Sequence, residues 1–118
     1  MSPLIYAAAL LAAATGALHI YFAFTLFAGL PSAPLFVGMG IAYFAGIAAY
    51  FANFRRPLVL KGGAVYVVLL IVAWAVVYAV AGQAQQRDPV AFVDKAVEAA
   101  LLGVLLIAMR KQRPLPTA

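Results

Sequence analysis

Residues 4–28 read LIYAAALLAAATGALHIYFAFTLFA, an apolar run with no Asp, Glu, Lys or Arg and a single histidine, His19. An α-helix rises 1.5 Å per residue, so this stretch exceeds the roughly 20 residues that cross a hydrocarbon core. It predicts a first membrane span. A secretory leader is the competing reading, because small residues cluster around Ala12 to Gly16. That reading fits poorly: no Lys or Arg precedes the apolar run, and the run outlasts the usual leader core of about 7 to 15 residues. A retained span is expected.

Working outward, the same logic gives three more spans, at about 35–53, 62–81 and 90–109. Gly29, Pro31, Ser32 and Pro34 break the chain after the first. The second closes at Phe54-Arg55-Arg56-Pro57, and Lys61-Gly62-Gly63 opens the third. After a polar turn from Gly82, Asp88-Pro89 has the form of a helix start, with Asp as N-cap and Pro at the first helical position. The fourth span ends at Arg110-Lys111-Gln112-Arg113-Pro114. The expected fold class is all-α: an integral membrane four-helix bundle with short loops, formed by residues 1–118 as one membrane domain.

Composition agrees. Of the 118 residues, 68% are hydrophobic and 9% charged, against about 25% charged in a soluble domain. The mean hydropathy is +1.07. Such a chain lacks the polar surface that water requires, and lipid is its expected partner. Cysteine is absent, which removes disulfides, thiolate metal sites and thiol nucleophiles. No metal-ligand spacing, phosphate loop or nucleophile beside a base is visible, so no enzyme activity is expected. The net charge of +5 is not read as a nucleic-acid footprint, because Lys and Arg in a membrane protein set topology and meet anionic headgroups.

Those charges are placed unevenly. Arg55, Arg56, Lys61, Arg110, Lys111 and Arg113 fall on one side of the predicted membrane. The other side holds Arg87 and Lys95, offset by Asp88 and Asp94. The positive-inside rule then puts both termini in the cytoplasm, with the cell membrane as the expected location.

Small residues recur every fourth position: Ala12 and Gly16 in the first span, and Gly38, Ala42 and Gly46 in the second. This spacing lines one helix face and lets backbones approach, within the bundle or between subunits. A homo-oligomer or a larger membrane complex is the partner expectation.

Ionisable groups are costly at the bilayer centre, about 2.5–3.5 kcal/mol each on insertion scales. The candidates are few. Counting at 1.5 Å per residue puts His19 roughly 14 Å and Glu98 roughly 12 Å below the outer surface. They share a level. Tyr43 and Trp74 fall at similar depths, with Tyr78 and Asp94 nearer the surface and Lys95 three positions before Glu98. The candidate polar site is therefore His19, Tyr43, Trp74, Tyr78, Asp94, Lys95 and Glu98. The plain alternative is structural: a membrane histidine can simply bond a neighbouring helix, and Tyr and Trp populate interfacial belts. No cofactor is expected. The one cofactor alternative, b-type haem on His19, needs Met39 or another chain for the second axial ligand, because His19 is the sole histidine.

Thr15-Gly16-Ala17-Leu18-His19-Ile20-Tyr21, Gly46-Ile47-Ala48-Ala49-Tyr50, Arg55-Arg56, Trp74 and Asp94-Lys95-Ala96-Val97-Glu98 together resemble a group of small, uncharacterised four-span membrane proteins of archaea, halophiles especially. The resemblance implies a four-helix membrane fold and carries no activity. The basic charge departs from the acidic habit of salt-in halophiles, which points to a thermophilic or neutral-salt relative. The function expected from the residues is that of a small accessory or structural subunit within an oligomer or larger membrane complex. The alternatives are a proton- or ion-linked carrier using the His/carboxylate cluster, and a haem-binding subunit.

Overall fold

A computed structural model of the chain describes residues 2–82 and 87–111. It is all-α: α1 (Pro3–Phe24), α2 (Ala33–Phe51), α3 (Arg56–Ala81) and α4 (Pro89–Lys111). Proline stands in the first turn of α1, α2 and α3, where its missing N–H costs no intrahelical bond. At α4 the N-cap role of Asp88 is realised. Its Oδ1 accepts the Val90 N–H at 2.9 Å, and its carbonyl accepts that of Ala91 at 2.9 Å.

Two helix limits differ from the sequence expectation. α1 ends at Phe24, not near residue 28: the Thr25 hydroxyl donates to the Tyr21 carbonyl at 2.7 Å, and turns carry the chain through Gly29, at φ +76°. α3 begins at Arg56, six residues before the expected start. Pro57 starts this helix as well as following the end of α2, and Gly62 and Gly63 are absorbed within it. The expected polar turn after Gly82 and the basic end at Arg113 lie partly or wholly outside the described residues.

The helices form a four-membered ring, 56 Å long and 27 by 20 Å across. α1 packs on α2 and α4, and α3 packs on α4 and, more sparsely, on α2. Helices α1, α2 and α3 are long and apolar enough to cross a membrane. α4 is as long, at 23 residues, but carries Asp94, Lys95 and Glu98 in its first half.

Those charges turn inward. The buried positions of α4 are Ala91, Asp94, Glu98, Leu101, Leu105 and Ala108, a three-four spacing that lines one helix face. On α1 the buried set runs Ile5, Ala8, Thr15, Gly16, His19, Phe22 and Ala23. The interior is thus divided along its length. At the end formed by the start of α1, the α2–α3 turn and the end of α4, Ile5, Ala8, Tyr50, Leu60, Ala64, Leu101, Leu105 and Ala108 make an apolar core. Toward the α1–α2 turn the same stripes carry Thr15, His19, Asp94 and Glu98. The outer surface is the reverse, with Leu10, Phe24, Leu69 and Val80 exposed.

Helices α1 and α2 approach closely at Gly16 and Gly40. A Cβ at Gly40 would sit 2.5 Å from the Gly16 carbonyl and 2.6 Å from Ile20 Cγ1, and one at Gly16 would sit 3.1 Å from the Gly40 carbonyl. Gly16 is therefore a contact residue, as its spacing suggested. Within the bundle the α2 row makes no such approach: Gly38 and Gly46 have nothing within 4 Å of a built Cβ. The buried face of α2 is that of Gly40, Tyr43 and Tyr50. Gly38 lies two residues off it, about 200° around the helix from Gly40. Ala12, Ala42 and Gly46 border a small apolar cavity of about 100 Å³ between the helices.

Candidate functional site

Two pairs of polar residues, each spaced by one helical turn, face each other across α1 and α4. Thr15 and His19 project from α1, and Asp94 and Glu98 from α4. All four are sealed from solvent, at 0%, 2%, 0% and 0% exposure respectively. α2 adds Tyr43 from the opposite side, and Lys95 folds back from the neighbouring position on α4.

The bonds form one connected set. The Thr15 hydroxyl donates to Asp94 Oδ1 at 2.6 Å. His19 Nδ1 lies 2.7 Å from the Thr15 carbonyl, 3.4 Å from the Thr15 hydroxyl and 3.8 Å from Asp94 Oδ1. A carbonyl only accepts, so Nδ1 carries the hydrogen. Nε2 is left without a hydrogen-bond partner among the described residues. The Tyr43 hydroxyl donates to Glu98 Oε2 in a short bond. Lys95 Nζ reaches Glu98 Oε1 at 2.5 Å and Asp94 Oδ2 at 3.3 Å. The Lys95 contact to Asp94 is an ion pair without hydrogen-bond geometry, and Asp94 Oδ2 accepts no hydrogen bond.

The His19 ring is held by aromatic neighbours. Phe36 lies nearly parallel, with centroids 6.0 Å apart, while Tyr43 and Phe22 approach at 5.7 Å and 6.1 Å. Tyr66 packs edge-on against Tyr43 at 5.1 Å and donates its hydroxyl to the Met39 carbonyl at 2.9 Å.

Beside this cluster lies a cleft of about 420 Å³ at the end of the bundle formed by the α1–α2 turn and the start of α4. Its walls are mostly apolar and aromatic, including Phe22, Phe27, Phe36 and Trp74. His19, Asp94 and Lys95 are its charged or titratable lining, and Met39 borders it as well. Trp74 Nε1 is buried with no acceptor.

Of the seven residues singled out from sequence, five fall in the bonded cluster: His19, Tyr43, Asp94, Lys95 and Glu98. Trp74 borders the cleft and makes no hydrogen bond to the cluster. Tyr78 stands outside it, packed with Trp74 and Phe92 at ring separations of 5.5 Å and 6.0 Å. Thr15 belongs to the cluster and was not among the seven. Its one sequence signal is its place four before His19, matching the spacing of Asp94 and Glu98.

The cluster holds two carboxylates and one ammonium, so with a neutral His19 one negative charge is in excess. Burying an uncompensated charge is costly enough that such a group is neutralised or paired. A proton on His19 or a carboxyl, or an added cation, balances the set. One donor atom each from His19, Asp94 and Glu98 lies within 4.8 Å of the others, which is ligand-like spacing. A divalent ion there would displace Lys95 from both carboxylates and strand its ammonium, so the composition suits a single positive charge better.

Compared with protein-family models, with curated proteins and with solved structures, the chain matches none.

Proposed function

We propose that the chain is a polytopic protein of the cell membrane, crossing it with all four helices and both termini in the cytoplasm, and that it works as a proton- or cation-linked carrier subunit. Its exchangeable centre is His19, Asp94 and Glu98. One observation carries this reading: a sealed cluster one negative charge in excess, with His19 neutral, adjoins an aromatic cleft at the end of the bundle formed by the α1–α2 turn and the start of α4. Intramembrane ionisable residues on an interior face are characteristic of ion and proton pathways. α4 supports its own span by turning Asp94 and Glu98 away from lipid, while Lys95 pairs with both. Protonation and cation entry are alternative ways to cancel the same charge, so each opposes the other, which is the thermodynamic content of coupling.

The test uses the full chain in proteoliposomes carrying an internal pH indicator and an imposed proton gradient, challenged with monovalent inorganic and organic cations. The carrier reading expects a cation-dependent proton movement that Asp94→Asn and Glu98→Gln abolish and His19→Ala impairs. It is overturned if no cation moves protons while His19→Ala disassembles an oligomer. That outcome favours the accessory-subunit reading, which has one observation of its own: Gly38 and Ala42 lie on an exposed ridge of α2, available to a second copy or another membrane subunit.

A further inference from the structure

Two residues that line the cleft each carry a buried polar atom without a hydrogen bond, and the two atoms are of opposite kind. Asp94 Oδ2, on a fully buried side chain, accepts no hydrogen bond, and Trp74 Nε1 is a buried donor with no acceptor. Buried polar atoms are satisfied in the great majority of folded proteins, so a pair left open against one cavity marks what the cavity takes. The remaining wall is apolar and aromatic, with Phe27 and Phe36 stacked on each other and Phe22 also lining it, and its volume of about 420 Å³ falls within the range of small-molecule pockets.

We infer that the cleft binds a small amphiphilic ammonium compound. Its cationic nitrogen meets Asp94 Oδ2, its ring or chain lies among Phe27, Phe36 and Trp74, and an acceptor atom takes the Trp74 N–H. Three features select this class. Asp94 supplies the negative charge, and aromatic faces attract a cation already drawn to a carboxylate. Lys95 is a lesser obstacle than its position suggests, because its ammonium is 2.5 Å from Glu98 and 3.3 Å from Asp94. The ligand nitrogen replaces the longer contact, leaving Lys95 with Glu98. An anionic ligand has no comparable place, since it would face the Asp94 carboxylate. The inference rests on the carrier reading and specifies its cargo: the ammonium supplies the positive charge that a proton otherwise brings, so the two compete.

Trp74 is the chain's single tryptophan, so its fluorescence reports on the cleft directly. The full-length protein in lipid nanodiscs is titrated with 4-methoxyphenethylamine, and in parallel with the matched alcohol and with 4-methoxyphenylacetate. The expected result is a saturable change for the amine alone, competed by acidification and weakened about tenfold or more in Asp94→Asn, the loss expected for a hydrogen bond to a charged group. A second variant, Ala73→Phe, fills the cleft from an exposed position on α3 without touching the charged cluster, and it should abolish the change. Equal binding of alcohol, acid and amine, or amine binding that survives Ala73→Phe, overturns the assignment. If the amine fails to bind while the chain still takes up a proton lost in Asp94→Asn, the cargo assignment falls and the proton-linked reading stands. If both fail, both go.

Discussion

Thr15 and Asp94, 79 positions apart in the chain, are joined by a 2.6 Å hydrogen bond inside the bundle. That bond ties α1 to α4 at the level where the interior changes from apolar to polar. Thr15→Val keeps the shape and removes the donor, leaving Asp94 Oδ1 without its hydroxyl. A loss of about 1–3 kcal/mol is expected, read as a lower thermal midpoint in detergent, with Thr15→Ser retaining most of the stability. An unchanged midpoint in Thr15→Val would mean that the carboxylate does not depend on this bond.

Lys95 and Glu98 form the shortest ion pair of the cluster, and Glu98 has no exposure to solvent. Removing one member of a buried pair typically costs about 3–5 kcal/mol, whereas replacing both with apolar residues of similar size often costs little. Lys95→Met alone should therefore destabilise strongly, because it leaves the buried Asp94 and Glu98 carboxylates without their ammonium, and Glu98→Met should do so less because Lys95 keeps its contact to Asp94. The double variant should be more stable than their sum. Additive losses in this cycle would show that the two side chains are not coupled.

Gly40 and Gly38 lie two residues apart and should respond oppositely to alanine. At Gly40 the new methyl meets backbone at 2.5 Å, so α1 and α2 must separate; at Gly38 it enters open space. Gly40→Ala should lower the thermal midpoint by an overpacking cost of about 1–3 kcal/mol. Gly38→Ala should be neutral or stabilising by up to about 1 kcal/mol, because alanine is the better helix former. Similar behaviour of the two would contradict the α1–α2 contact described above.

The orientation is open to direct labelling, since the natural chain has no cysteine. Leu30 in the α1–α2 turn and Phe54 in the α2–α3 turn are both exposed. In intact cells Leu30→Cys should react with a membrane-impermeant maleimide and Phe54→Cys only after permeabilisation. The reverse pattern would invert the topology and put the cleft on the cytoplasmic side.

The sequence made the level of the polar site legible, because rise per residue converts position into depth and set His19 and Glu98 side by side. It also gave the i, i+4 alignment of Asp94 and Glu98. It left the rotation of each helix undetermined: Gly38, Ala42 and Gly46 satisfy the small-residue spacing as well as Gly40 satisfies packing, and only the buried face of Tyr43 and Tyr50 distinguishes them. Tyr78 shares a face with Trp74 one helical turn further along α3 and packs on Trp74 and Phe92, so the depth expected from its position does not bring it to the cluster. Thr15 was hidden for another reason. A threonine in an apolar helix ordinarily bonds its own backbone, and nothing local signals that its hydroxyl crosses to a carboxylate on the last helix. Helix α3 begins ahead of the span expected from residue 62, because Pro57 is equally a stop for one helix and a first-turn residue of the next.

The central claim is that the sealed cluster of His19, Asp94 and Glu98 carries an exchangeable positive charge. Infrared difference spectroscopy of the reconstituted protein, titrated with acid in the absence of other cations, reads it directly through the carboxyl C=O band and the count of protons bound. The account predicts uptake of one proton by the cluster, lost in the Asp94→Asn and Glu98→Gln variants and suppressed when a bound ammonium takes its place. Carboxyl bands that do not change with pH in the wild-type chain, with proton uptake identical in both variants, would contradict it.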